Sequence, residues 1–234
     1  MTENHYQNAL YPLQNYILSL INKLDLPFYL TGGTALSRHY LFHRYSDDLD
    51  LFVNEHSEFR LLIDAIDRCF QHNKVDYRAL SRSDDFVRME IHSPEKLVLK
   101  LDLVNDLVPH FGDFALSPEL GKVDNVMNIL SNKISAIPRL EIKDFADIIW
   151  IARKYQFNWE TLITEAFEKD AWVNPLDLGR YFYELDARRF QQILWIKPVD
   201  TAILKTSCEM IANDVVRGCD NSLYFTGTSV NSEG

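Results

Sequence analysis

From Asp48 to Val53 two kinds of residue alternate without a break. Leu49, Leu51 and Val53 are aliphatic, and Asp48, Asp50 and Phe52 fill the positions between them. Successive side chains of a strand point to opposite faces, so the two aspartates share one face and the three aliphatics the other. Neighbouring carboxylates repel each other and are costly to bury unless solvent, a counter-charge or a cation meets them. The segment therefore asks for a sheet with a packed back and a front turned to a ligand or to water.

What precedes the strand says which ligand. Residues 28–31 are short and apolar and run directly into Gly32-Gly33, which predicts a strand ending in a tight turn. Residues 34–43 then carry Ala35, Leu36, Tyr40 and Leu41 at helical spacing. Without a Cβ, such a turn lays backbone amides against a triphosphate, and the following helix start adds partial positive charge. Gly32, Gly33 and Thr34 are the candidate cradle. Arg44 is a candidate for the nucleotide side, and Ser46 either bonds a phosphate or simply starts the turn before the strand.

A third carboxylate follows the same logic. Beyond a helical stretch over residues 58–73, strands are predicted over 75–80, 86–91 and 97–104, separated by turn-rich segments. In the last, Leu99, Leu101 and Leu103 face one way and Lys100, Asp102 and Val104 the other, so Asp102 repeats the pattern of Asp48 and Asp50. Hard divalent cations prefer oxygen ligands, and Asp48, Asp50 and Asp102 together would hold two Mg²⁺ ions. That geometry suits nucleotidyl transfer, in which one metal activates a hydroxyl and the other bridges the phosphates. Taken alone, a Gly-Gly pair is an ordinary turn and Ser46–Asp50 an ordinary solvated one; it is the combination that points to a site.

From about residue 119 the period changes to that of helices, through Val123, Val126, Ile129 and Leu130, then Phe145, Ile148, Ile149 and Ala152, then Leu162, Ile163 and Phe167. The expected organisation is a nucleotide-binding α/β unit over residues 1–110 and a helical domain over 111–234, with residues 109–118 as the connection and the polar stretch 221–234 as a frayed tail. The chain's 234 residues, 47% of them hydrophobic, suffice for a substantial core. Its net charge of −10 means that any nucleic acid must be met by a local basic patch or bridging cations; Arg180, Arg188 and Arg189 are candidates for such a patch, or an ordinary solvated face. Three cysteines without a CxxC pair, and no apolar run of membrane-spanning length, predict a soluble cytoplasmic protein with no membrane partner.

Two segments carry a family resemblance. Residues 28–36 (FYLTGGTAL) and 43–52 (HRYSDDLDLF) closely resemble the first motif of the AbiEii/AbiGii-type toxin nucleotidyltransferases, members of the polymerase-β-like superfamily. Lys133, Ala136, Arg139, Lys143, Asp144 and Asp147 resemble that family's later K-x-x-A-x-x-R-x-x-x-K-D-x-x-D block. The resemblance implies an α+β chain, a minimal nucleotidyltransferase fold of mixed β-sheet with packed helices followed by a C-terminal helical bundle. It also implies NTP as substrate, Mg²⁺ as cofactor, tRNA or another RNA as acceptor, and a cognate antitoxin as partner in a toxin–antitoxin or phage-defence system.

The residues of the second block make physical sense unaided. Lys133 and Arg139 can reach phosphate oxygens, and Asp144 or Asp147 can orient them or act as a base toward the acceptor hydroxyl. A surface salt-bridge network involving Lys143 and Asp147 is the competing reading. Asp48, Asp50, Asp102, Lys133 and Asp144 are thus the candidate catalytic residues. Two other functions remain open at this stage: a catalytically inactive nucleotide- or partner-binding protein, and a small-molecule nucleotidyltransferase.

Overall fold

The computed structural model describes residues 2–224, which divide into two compact units with the boundary between Asn125 and Val126. The first unit opens with α1 (Thr2–His5), a π-helical turn (Tyr6–Leu10) and α2 (Tyr11–Asn22). There follow β1 (Tyr29–Thr31), α3 (Gly32–Ala35) with a π-helical turn (Leu36–Tyr40), β2 (Leu49–Asn54) and α4 (Phe59–His72). A meander of β3 (Asp76–Arg82), β4 (Phe86–His92) and β5 (Val98–Asp106) leads to the short β6 (Ala115–Ser117) and β7 (Gly121–Val123).

These strands form one seven-stranded mixed sheet in the order β3-β4-β5-β2-β1-β7-β6, with β2–β5 and β1–β7 parallel and the remaining pairs antiparallel. Alternation decides its two faces. Leu49, Leu51, Val53, Leu99, Leu101, Leu103, Val87, Met89 and Ile91 are buried on one face, and α4 joins this core through Phe70, whose ring meets Tyr77 at 5.3 Å. Burying each such aliphatic contributes about 1.5–3 kcal/mol. The edge strand β3 is largely exposed, carries Arg78 and Arg82 and is irregular between Ala79 and Ser81. Charge and irregularity on an edge discourage pairing with another chain.

The stretch expected to connect the halves, residues 109–118, contributes β6, which together with β7 just beyond it extends the sheet past β1. Three-residue strands are too short for a period-two pattern to emerge. The helix expected over residues 34–43 begins at the glycines and ends at Tyr40.

The second unit is helical: α5 (Val126–Ser135), a 3₁₀ turn (Ile137–Arg139), α6 (Ile142–Lys154), α7 (Trp159–Lys169), α8 (Pro175–Glu184), a 3₁₀ turn (Ala187–Gln192) and α9 (Thr201–Arg217). Helix α6 is its centre, with Phe145, Ala146, Ile148, Ile149, Ile151 and Ala152 fully buried. Helices α8 and α9 approach closely because position 179 is glycine; a Cβ there would lie 2.7 Å from Val216 Cγ2. After α9 the chain is not loose at once: Asn221 is fully buried and donates to the carbonyls of Ala152 and Tyr155 at 2.6 and 2.9 Å. The rest of the expected tail, residues 225–234, lies outside the described residues. No helix among the described residues is long and apolar enough to cross a membrane, and none of the three cysteines forms a disulfide.

Candidate active site

At the end of β1 the backbone turns at Gly32 with φ of +69°, a conformation open to glycine and strained for other residues. A Cβ on Gly32 would sit 2.6 Å from Asp50 Oδ2, so the carboxylate lies directly on the backbone of the turn. A Cβ on Gly33 would sit 2.6 Å from Arg44 Nη2 and 3.0 Å from Ser46 Oγ. Arg44 is buried and donates from Nη1 to the Tyr45 carbonyl at 3.0 Å. Thr34, fully buried, bonds the Asp48 carbonyl and lies 3.0 Å from the Ser46 hydroxyl. It thus fastens the helical segment after the glycines to the entry of the acidic strand.

The sheet register places the carboxylates. Asp50 of β2 pairs with Asp102 of β5 on one side and with Thr31 of β1 on the other, while Asp102 pairs with Arg88 of β4. Adjacent strands lie about 4.8 Å apart, so Arg88, Asp102, Asp50 and Thr31 form a row on the face opposite the aliphatic core. Asp48 stands just before β2. Arg88 grips Asp102 with two bonds, Nε to Oδ1 at 2.8 Å and Nη2 to Oδ2 at 2.7 Å, and Lys100 Nζ lies 2.6 Å from Asp48 Oδ2.

Two shifts report the same convergence. The hydrogen bonds it donates to Asp102 raise the Arg88 guanidinium above its ordinary value against some desolvation, with the charges of Asp102, Asp48 and Asp50 adding to this. Burial alone would lower the Lys100 ammonium, but its bond to Asp48 and the charges of Asp48, Asp102 and Asp50 outweigh burial and raise it. Both cations therefore feel all three carboxylates.

The donor chemistry fits a hard divalent cation, since three carboxylates stand on neighbouring positions beside the glycine turn. Among the described residues, however, no three of His, Cys, Asp and Glu make a ready metal cluster. Magnesium commonly binds through one or two carboxylates together with substrate phosphates, and that is the mode these residues suit. The Asp48 side chain, paired with Lys100, is about one-third exposed.

The later block forms its own cluster within the second unit. Lys133 Nζ lies 2.6 Å from Asp144 Oδ1 and 2.7 Å from Asp147 Oδ2, with all three side chains buried. Arg139, mostly exposed, approaches Asp144 at 3.7 Å. The partner of Asp147 is thus Lys133 of α5, while Lys143, four residues before it on α6, is exposed. The surface network weighed from sequence is a buried one.

Sequence reasoning passed over several residues of the first unit. The Arg38 side chain is only 7% exposed: it donates to Gln14 Oε1 and Asn15 Oδ1 at 3.0 and 2.6 Å, pairs with Glu119 at 3.1 Å and covers the Tyr11 ring at 4.5 Å. Arg88 was findable, because in Phe86-Val87-Arg88-Met89-Glu90 the alternation puts Arg88 on the face opposite Val87 and Met89. Asp124, fully buried just after β7, carried no signal, because the strand preceding it was not legible.

The sequence pattern of a family described as "Nucleotidyl transferase AbiEii toxin, Type IV TA system" matches residues 18–195. Among curated proteins none matches the chain. Among solved structures, JHP933 from Helicobacter pylori superposes with a TM-score of 0.58 over 97% of both chains at 19% identity. MenT4, the nucleotidyltransferase toxin Rv2826c from Mycobacterium tuberculosis H37Rv, superposes with a TM-score of 0.63 over 88% of this chain and 82% of that one, at 14% identity. At such identities the likeness speaks for the fold: the mixed sheet with packed helices is that of nucleotidyltransferase toxins.

Proposed function

Since the chain belongs to the AbiEii family of nucleotidyltransferase toxins, we propose that it transfers a nucleoside monophosphate from an NTP to an acceptor hydroxyl of tRNA or another RNA, with Mg²⁺ as cofactor. In the same reading it acts as the toxin of a toxin–antitoxin or phage-defence pair, held in check by a cognate antitoxin. One observation supports the chemistry above all: Asp50 lies on the glycine turn and in register with Asp102. A phosphate seated on that turn would lie beside the Asp50 carboxylate, as a divalent cation shared between protein and substrate would require.

In the reaction the acceptor oxygen attacks the α-phosphorus. The new P–O bond forms as the bond to the α–β bridging oxygen breaks, pyrophosphate departs, and the acceptor's proton passes to a base. The amides of Gly32 and Gly33, backed by Arg44 and Ser46, hold the phosphates. Thr34 keeps that turn joined to Asp48. Asp48, Asp50 and Asp102 are the residues that would hold magnesium, two ions in all. When bound, the metal lowers the pKa of the attacking hydroxyl and stabilises the departing pyrophosphate. Arg88 and Lys100 neutralise and orient the aspartates before substrate arrives. In the second unit, Lys133 and Asp144 are assigned to catalysis and Arg139 to nucleotide contact, on the strength of the family block.

The experiment is incubation with each of four α-labelled NTPs, Mg²⁺ and total RNA. Label on RNA, lost when EDTA is added, is the expected result. Label on a small molecule would favour a different acceptor class, and NTP binding with no label anywhere would indicate a catalytically silent member of the family.

A further inference from the structure

Asp124 is fully buried, and a buried carboxylate costs several kcal/mol unless hydrogen bonds and counter-charge offset it. Here hydrogen bonds meet both carboxylate oxygens. Thr31 donates its hydroxyl proton to Asp124 Oδ2 at 2.6 Å, and His110 Nε2 lies 2.9 Å from Asp124 Oδ1. The backbone of Asp124 is engaged as well, its N–H donating to the Leu30 carbonyl at 2.9 Å and its carbonyl accepting from the Tyr40 hydroxyl at 2.7 Å. The His110 ring is fixed in turn, edge-on to Tyr29 at 5.3 Å and tilted against Phe114 at 4.3 Å.

These contacts bracket the glycine turn. Leu30 and Thr31 are the two residues before Gly32, and Tyr40 ends the helical segment after Gly33. The turn has no slack on its other side, where Asp50 Oδ2 occupies the space a Gly32 Cβ would take. A shift of the backbone at Gly32 would therefore change how closely the turn meets the Asp50 carboxylate. Thr31 also continues the row of Asp102 and Asp50 across the sheet, so the network reaches the site directly.

We propose that Asp124, braced by His110, is a positioning residue that clamps the glycine turn through Thr31 and Tyr40 and thereby sets the turn's affinity for the triphosphate. The proposal rests on the reading of that turn as the phosphate cradle. Because the clamp acts on the cradle and leaves Asp48, Asp50 and Asp102 in place, its loss should weaken NTP binding more than turnover.

The test measures steady-state transfer and binding of a non-hydrolysable NTP analogue by the full chain and by three variants. Thr31→Val removes the donor while keeping a β-branched shape; it should raise KM for NTP and Kd for the analogue at least tenfold, with kcat within about threefold of the parent. Thr31→Ser restores the hydroxyl and should return both constants to within about twofold. Should Thr31→Val fail to fold, His110→Ala, at a half-buried loop position, should raise KM by about three- to tenfold. A KM within twofold of the parent in the folded variants, or a Thr31→Ser that behaves like Thr31→Val, would overturn the proposal. An unsubstituted chain that neither binds the analogue nor transfers would instead overturn the cradle reading itself and the proposal with it.

Discussion

One added carbon separates the roles of Gly32 and Gly33. At Gly32 an alanine would meet both a positive φ and the Asp50 carboxylate at 2.6 Å; the backbone term alone costs about 1–2 kcal/mol. Gly32→Ala should lower the melting temperature by several degrees and reduce transfer at least a hundredfold by displacing Asp50. At Gly33 the close atoms are the ends of the Arg44 and Ser46 side chains, and no positive φ is required. Gly33→Ala should therefore melt near the parent and show its defect as a raised KM for NTP. Cys208 gives a prediction of another kind. Burial, with a smaller contribution from the charge of Glu209, pushes its thiol from an ordinary 9.0 up to about 12. Its raised folded-state value means that the contribution to stability is intact below about pH 9 and is lost as pH rises toward about 12. Denaturant midpoints should fall over that interval, and Cys208→Ala should remove part of the fall.

Among the strands, those with long alternating runs were legible, and the three-residue β1 was legible through the glycine turn that ends it, whereas β6 and β7 were not. Strands β2 and β5 declared both their faces, so Asp48, Asp50, Lys100 and Asp102 could be assigned to one side before any pairing was known. The parallel register that makes Asp50 and Asp102 neighbours is a tertiary choice that neither strand encodes by itself. Strands β6 and β7 were hidden by their length, and Asp124 with them, since a buried acid after a three-residue strand looks like any polar loop residue. At the other end of the chain, a polar composition from residue 221 concealed a docked Asn. Its side chain satisfies two carbonyls at the C-terminal end of α6 and accepts from the Leu223 N–H at 3.2 Å. Leaving buried carbonyls unpaired costs about 1–3 kcal/mol. Asn221→Ala should lose about that much in urea denaturation, with an unchanged m-value marking a loss of stability rather than of compactness.

For the whole molecule, sequence sufficed to foresee a sheet-based unit followed by a helical one, because strand-like alternation disappears and helical spacing alone continues, although Val123, counted with the helices, ends β7 and the first helix starts at Val126. The net charge of −10 bears on the proposed acceptor: a phosphodiester chain is repelled on average, so RNA would be admitted by local basic groups and by cations at the carboxylates. The proposed transfer therefore turns on those carboxylates, and above all on Asp50, whose contact with the turn and register with Asp102 would link phosphate binding to metal binding. The most direct test is NMP transfer from α-labelled NTP by Asp50→Asn beside the unsubstituted chain, with matched circular dichroism spectra to show that both are folded. The predicted result is transfer by the parent and a loss of at least about a thousandfold in the variant, the range expected when a group that acts on the transition state is removed. Transfer by a folded Asp50→Asn chain at a rate near the parent's would contradict the account.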